Sequence, residues 1–289
     1  MKAAVLVSYF PDQEILNKTL NSLVRQVDRL YWVDNGTEEE LPYEATGDNV
    51  VFIRLKNNIG IAAAQNIGIN AAIRDGAEFV ILSDQDTYFP NDCVDALVET
   101  FSRWPEAAAV VPQFRDKNKK TADGFILHNT LWFTSTQVSA GDHQLFQAIA
   151  SGKVLRVSAL GAVGLMDETL FIDWVDLEWC WRARDRGFSV VGNASVTIEH
   201  TLGDFAKNLG FREVNLRSSQ RHYYITRNAF YLALRSPYLP FSHRIILFLR
   251  SLRYLLAFPI MASPRLPNLI AVCQAFCHGV SGKMGPRCN

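Results

Sequence analysis

Short β-branched runs alternate along this chain with longer segments whose apolar residues recur at three- and four-residue spacing. That alternation predicts a wound α/β sheet. Residues 5–9 read as a first strand. Asp12 then caps a helix running to about residue 27, with Ile15, Leu16, Leu20, Leu23 and Val27 on one face. Residues 30–33 and 50–55 read as the second and third strands. Residues 59–73 read as a helix whose small residues, Ala62, Ala63, Ala64 and Gly68, permit close packing. A fourth strand at 79–82, a helix at 91–104 and a further strand at 108–111 follow. Repeated βα units call for right-handed crossovers, hence a mostly parallel sheet flanked by helices.

The pattern breaks over residues 115–150, which are polar and irregular, with Arg115-Asp116-Lys117-Asn118-Lys119-Lys120 reading as a solvated turn. Strands are expected again at 154–159 and 162–166, a helix at 175–186 closed by Gly187, and a strand at 195–199. Beyond about residue 212 the character changes. Residues 220–235 read as a helix. Residues 242–258 are strongly apolar yet carry Arg244, Arg250 and Arg253, and are interrupted by Pro259. The charges argue against a membrane span. They suit an interfacial helix, or one packed on the rest of the chain or against a second copy. The expected organisation is therefore a domain at 1–212 and a basic, largely helical region at 213–289.

Composition narrows the class. Of the 289 residues, 48% are hydrophobic and 20% charged, which fits a globular chain rather than a disordered one. The net charge of zero hides an asymmetry: residues 200–289 hold 12 Lys and Arg against two acids, Asp204 and Glu213, while residues 1–199 hold 17 against 27. An acidic, site-bearing part and a basic part facing phosphates or anionic lipid are implied. Residues 1–9 are too short an apolar run for a secretory leader and lack its small-residue cleavage site. The five cysteines form no C-x-x-C pair. They fit reduced thiols in the cytosol, with Cys273 and Cys277 expected as buried small apolar residues.

Chemistry-bearing residues gather at four expected strand ends. Phe79-Val80-Ile81-Leu82-Ser83-Asp84-Gln85-Asp86-Thr87 is a buried strand running into two aspartates one residue apart. At the sheet edge where open α/β folds bind ligands, that pair suits Mg2+ or Mn2+ on a diphosphate. Alone it also fits a solvated turn. Asp34-Asn35-Gly36-Thr37 offers a carboxylate for the N3–H of uracil or thymine and a glycine that lets a ring approach, though an Asn-Gly turn is the plainer reading. Asn57-Asn58-Ile59-Gly60-Ile61-Ala62-Ala63-Ala64-Gln65-Asn66 opens a helix whose free N–H groups suit an anion. Phe171-Ile172-Asp173-Trp174-Val175-Asp176-Leu177-Glu178-Trp179-Cys180-Trp181-Arg182 carries three acids and three tryptophans. Asp176 sits near a helix start, where the dipole favours an ionised base able to deprotonate a sugar hydroxyl. Tryptophan faces suit sugar rings, with Trp181 read as core. Glu199-His200 can bring a nitrogen ligand to the same metal.

In this combination and order the chain resembles the family 2 glycosyltransferases, which have a GT-A fold and use nucleotide-sugar donors, and among them the bacterial L-rhamnosyltransferases. The resemblance runs over nearly the whole chain. Besides the segments above it rests on Val5–Ser8, on Arg221-His222-Tyr223-Tyr224-Ile225-Thr226-Arg227-Asn228, and on His278-Gly279-Val280 with Gly282-Lys283-Met284-Gly285. It implies that Asp34 binds the base, that Asn35, Asn58, Gly60, Asn66 and Gln85 line the nucleotide-sugar site, and that Asp84 lies near the ribose. It implies further that Asp86, assisted by His200, holds Mg2+ or Mn2+, and that Arg227 contacts a phosphate. Asp176 stands where the second acid of the family's usual E-D pair falls, but Val175 replaces the first. The catalytic base is therefore Asp176, with Glu178 or Asp173 as alternatives. The implied reaction is inverting transfer of L-rhamnose from dTDP-β-L-rhamnose to a lipid-linked saccharide. The implied place is the cytoplasmic face of the bacterial inner membrane, as a peripheral protein open to homo-oligomerisation, in synthesis of a surface polysaccharide such as O-antigen.

Rival functions lack their motifs. A sugar nucleotidyltransferase would carry a Gly-rich, Arg-containing loop after the first strand, where this chain has Ser8-Tyr9-Phe10-Pro11-Asp12. A nicotinamide dehydrogenase would carry G-x-G-x-x-G after a strand. A nucleic-acid partner fits the basic region but not the carboxylates, which repel phosphates. A UDP-sugar donor stays open, since nothing in the spacing separates it from dTDP-rhamnose.

Overall fold

The computed structural model describes residues 1–37, 47–116, 124–200, 206–208, 213–215 and 218–287; at 116, 199, 200, 206–208 and 213–215 only the backbone is described. The chain forms two compact units. One comprises Met1–Asp167 with Asp176–Thr201, the other Glu168–Val175 with Leu202–Asn289.

The first unit runs β1 (Lys2–Ser8), α1 (Gln13–Val24), β2 (Arg29–Asp34), β3 (Val50–Arg54), α2 (Ile61–Arg74), β4 (Phe79–Asp84), β5 (Thr87–Tyr88), α3 (Cys93–Arg103), β6 (Ala107–Asp116), β7 (Ile126–Leu127), β8 (Asp142–Gln147), β9 (Val154–Arg156), α4 (Val157–Val163), α5 (Val175–Asp185, its first residue in the second unit) and β10 (Ser189–His200). The second contains a 3-10 turn at Glu168–Leu170, β11 (Ala206–Asn208) paired antiparallel with β12 (Glu213–Asn215), and α6 (Ser219–Arg235), α7 (Phe241–Met261) and α8 (Arg265–Ser281).

The main sheet runs β3-β2-β1-β4-β9-β6-β10-β8-β7, with β5 added to β10. Strands β3, β2, β1 and β4 are mutually parallel, as are β6 and β10. The wound, largely parallel α/β core is thus the one expected. Its central strands are buried on both faces: Ala3 to Leu6, Leu30 to Val33 and Val80 to Leu82 are almost wholly excluded from solvent. That is why they read as continuous apolar runs. Asp12 caps α1 by accepting from Ile15 N at 3.0 Å. Gly68 lies so close to β1 that a Cβ there would meet Val5 Cγ1 at 2.4 Å.

Several expectations change. Strand β9 is only three residues long and runs antiparallel to both β4 and β6, after which the chain turns into α4 rather than continuing as strand to 159. No strand forms at 162–166, where α4 ends at Gly164 with φ +87°. A short apolar run cannot distinguish strand from helix by periodicity, and here the helix wins. The polar stretch 115–150 hides β7 and β8; of the turn expected at 115–120, Arg115 and Asp116 instead end β6, and 117–120 lie outside the described residues. Pro259 does not interrupt α7, which continues to Met261: the proline sits in the last turn, where one missing N–H costs a single bond. Cys273 and Cys277 are exposed on α8, not buried.

Candidate active site

Parallel pairing of β2, β1 and β4 brings their C-terminal ends to one edge, with Ser8 beside Asp34 and Val7 beside Asp84. Asp34 is fully buried. It accepts from Thr37 N at 3.1 Å, Thr37 Oγ1 at 2.6 Å and Ser8 Oγ at 3.3 Å, a set that satisfies its charge without a cation. Gly36 follows at φ +86°, and a Cβ there would lie 2.4 Å from the Asn57 carbonyl carbon, so only glycine fits. Asn35 Oδ1 accepts from Ile59 N at 3.0 Å, and Asn35 Nδ2 donates to Asn58 Oδ1 at 3.1 Å. Asn58 Oδ1 also accepts from Gly60 N at 2.9 Å. These bonds tie the end of β2 to the entrance of α2, whose N-terminus carries no side-chain cap. Asn66 is used inside the scaffold instead, where both ends of its amide pair with the backbone of Met166, at 2.9 and 3.0 Å.

Of the acidic pair, Asp84 ends β4 and Asp86 lies on the turn between β4 and β5. Gln85 holds that turn, its Oε1 accepting from Tyr9 N at 2.8 Å and its carbonyl accepting from Thr19 Oγ1 at 3.0 Å. Asp84 and Asp86 are both half-buried. Strand β5 pairs with β10 so that Thr87, the residue after Asp86, stands opposite His200, whose side chain lies outside the described residues.

One loop that sequence reading missed, residues 148–153, links Asp84 to Asp176. Leu82 N donates to Lys153 O at 2.9 Å and Gly152 N to Leu82 O at 2.8 Å, locking the loop against the end of β4. Ser151 Oγ donates to Asp84 Oδ2. Ala150 N donates to Asp176 Oδ2 at 3.0 Å, and Leu177 N donates to Asp176 Oδ1 at 3.0 Å. Lys153 is fully buried, its Nζ donating to Asp176 O and Ala148 O at 3.1 Å each and to Cys180 Sγ at 3.3 Å. A lysine at the head of the apolar stretch Val154-Leu155 was the available signal.

Asp176 lies in the first turn of α5, as expected, but the helix start does not decide its charge. It keeps a solvent-facing side, yet the protein crowded around it pushes its pKa up from the usual 3.8. Lys153 opposes that rise and Asp84 adds to it. A carboxyl poised in this way is a proton acceptor, because its acid form is not strongly disfavoured. Glu178 is buried in a two-point pair with Arg182, at 2.9 and 2.8 Å. Burial still raises its pKa, outweighing Arg182. Its oxygens are committed to that guanidinium, which argues against a role as base. Asp173, in the second unit, pairs with Arg221 at 3.3 Å. Trp179 and Trp181 are both buried, with ring N–H groups donating to Gly164 O and Gln147 Oε1 at 2.9 Å each, so neither offers a face to a sugar. Arg227, expected on a phosphate, is wholly buried and donates to the carbonyls of Gly285, Thr169 and Leu170 and to Asn228 Oδ1. It organises the second unit.

Among the described residues no group of three or more His, Cys, Asp or Glu side chains forms a ready-made metal cage. The donors nevertheless suit a hard divalent ion. Asp86 offers carboxylate oxygen from a fixed turn, one residue before Thr87, which stands opposite His200, and Mg2+ typically takes one or two carboxylates plus substrate phosphates.

Comparison with known proteins agrees with this geometry. The profile of "Glycosyl transferase family 2" matches residues 4–164, more than half of the chain. The chain is 33% identical over 248 residues to the dTDP-rhamnosyl transferase RfbF of Shigella flexneri, covering 82% of this chain and 81% of that protein. Its fold superposes on Staphylococcus aureus TarS 1–349 with a TM-score of 0.61 at 15% identity, covering 97% of this chain and 81% of that one. It superposes on GalNAc-T7, crystallised with UDP, GalNAc and Mn2+, with a TM-score of 0.59 at 13% identity, covering 98% and 56%. With a GT-A-like sheet, an acidic rim at its strand ends and this similarity along most of its length, the chain belongs to glycosyltransferase family 2 and is a glycosyltransferase.

Proposed function

We propose that the chain transfers L-rhamnose from dTDP-β-L-rhamnose to a hydroxyl of a lipid-linked saccharide, with inversion, at the cytoplasmic face of a bacterial inner membrane. The donor is supported by the similarity to the Shigella dTDP-rhamnosyl transferase. The chemistry is supported by one observation above the rest: Asp176 is held by Ala150 N at 3.0 Å, on the same loop whose Ser151 holds Asp84.

In this reading Asp34 and Asn35 take the base, and the α2 entrance with Asn58 and Gly60 accommodates the nucleotide sugar. Asp84 lies by the ribose. Asp86 and His200 would hold Mg2+ or Mn2+, whose contribution when bound is to neutralise charge on the departing diphosphate. The acceptor hydroxyl oxygen bonds to the anomeric carbon from the face opposite the leaving group. The bond from that carbon to the dTDP oxygen breaks, and the hydroxyl proton passes to Asp176. Ala150 N and Leu177 N fix the carboxylate for that transfer, so little reorganisation is needed.

Asp176→Asn tests the assignment. The expected outcome is loss of transfer by at least about a hundredfold, the usual scale of a general base, with metal-dependent thermal stabilisation by dTDP unchanged. Normal turnover in that variant removes Asp176 as base. Stronger stabilisation by UDP than by dTDP overturns the rhamnose donor while leaving the transferase in place.

A further inference from the structure

The outer sides of α7 and α8 carry apolar residues that the fold leaves uncovered. On α7, Phe241, Ile245, Leu249, Leu252, Leu256 and Ile260 are all exposed, Phe241 by 74% and Leu256 by 68%. Their spacing of four, four, three, four and four residues places them within an arc of about 100° along roughly 28 Å of helix. The buried side of α7 is spent on α6, with Phe258 stacked on His222 at 4.0 Å, and Phe248, at the edge of the exposed stripe, meets Phe230 edge to face at 5.4 Å. Helix α8 repeats the arrangement. Phe276 packs on Phe230 at 4.9 Å, while Leu266, Ile270, Cys273 and Cys277 face out along a second stripe of about 60°.

Charge identifies what covers these stripes. Residues 214–289 contain ten Lys and Arg and no Asp or Glu. Arg253 and Arg265, both exposed, border the α7 and α8 stripes. A second copy of the chain would bring positive charge against positive charge. An anionic lipid surface would receive the apolar residues at its acyl boundary and the guanidinium groups among its phosphates. No helix among the described residues is long and apolar enough to cross a membrane, so α7 would lie in the interface rather than span it.

We infer that the outward faces of α7 and α8 form a docking surface for an anionic lipid bilayer, with Leu249 and Leu256 at its centre. The inference rests on the membrane placement proposed above and gives it a surface. Full-length protein is mixed with vesicles of phosphatidylethanolamine and phosphatidylglycerol, or of phosphatidylcholine alone, and the bound fraction is measured by flotation. The wild type is expected on the anionic vesicles at least tenfold more than on the neutral ones. Leu249→Gln with Leu256→Gln should reduce that binding at least tenfold. Both positions are exposed, so the melting temperature, its shift with dTDP and transfer to a water-soluble acceptor should stay unchanged. Equal binding of wild type and double variant overturns the inference, as does a wild type that self-associates through these residues and ignores vesicles. Vesicle binding by a protein inactive on dTDP-rhamnose overturns the donor assignment and leaves the docking surface standing.

Discussion

Three acids within six residues, Asp173, Asp176 and Glu178, have different fates because their partners differ. Glu178 faces Arg182 and Asp173 faces Arg221, so each has a cation to hold it. Asp176 has two backbone N–H donors, and Lys153, the cation that acts on it, bonds its carbonyl instead of its carboxylate. Lys153 therefore acts on the proposed base through space. Because that cation lowers the Asp176 pKa, removing it in Lys153→Met must raise the pKa further. Transfer needs the ionised form, so activity is lost as pH falls through that pKa, and the acidic limb of kcat/KM should begin at a higher pH in the variant. Its plateau at alkaline pH should return toward wild type. An unmoved limb would show that Lys153 is only a packing residue. The sequence marked Asp176 by its place near a helix start. It was silent on Lys153, whose meaning depends on a loop brought beside α5 from more than twenty residues away.

At the scale of elements, the segment ahead of α5 is the most strained among the described residues. Phe171, Asp173 and Trp174 have φ of +66°, +61° and +70°, each costing about 1–2 kcal/mol for a residue with a Cβ. Helix α6 supplies the restraint. Asn228 Nδ2 donates to the carbonyls of Leu170, Ile172 and Asp173 at 2.9, 2.9 and 3.0 Å, and Trp174 Nε1 donates to Ile225 O at 3.0 Å. The Tyr-Tyr-x-x-Arg-Asn run is thus a clamp on this segment, with Arg227 beside it on Thr169 and Leu170. Asn228→Ala removes all the bonds from that amide. At about 1 kcal/mol net for each, a loss of about 2–4 kcal/mol in urea-unfolding stability is expected. A change under about 0.5 kcal/mol, the range of an ordinary surface substitution, would show that the strain is held elsewhere. Both halves of the clamp were conspicuous as motifs. That one grips the other, and that Arg227 serves carbonyls instead of phosphate, follows only from their proximity in the second unit.

Over the whole molecule, acidic and basic regions cancel to zero net charge, with an isoelectric point ≈ 7.0. Such a protein has little mutual repulsion, and its acidic and basic residues fall in different parts of the sequence. Light scattering at low salt should therefore peak near neutral pH, and fall with added salt or about two pH units away. Scattering that rises with salt would instead point to the apolar faces of α7 and α8 as the sticky element. The alternation of apolar runs sufficed for the wound sheet and for the acids that end β2 and β4, because a strand buried on both faces must be apolar throughout and must stop where polar residues begin. The segment 148–166 was beyond such reading: an antiparallel strand of three residues, a loop touching two catalytic-side acids and a short helix are set by what they pack against. The same holds for Glu178, Trp179 and Arg227, chemically able to serve a site yet used by the scaffold. A sequence displays which side chains can carry charge or bind a sugar. Only the tertiary structure, by burying some and pairing others, decides which remain available to a ligand.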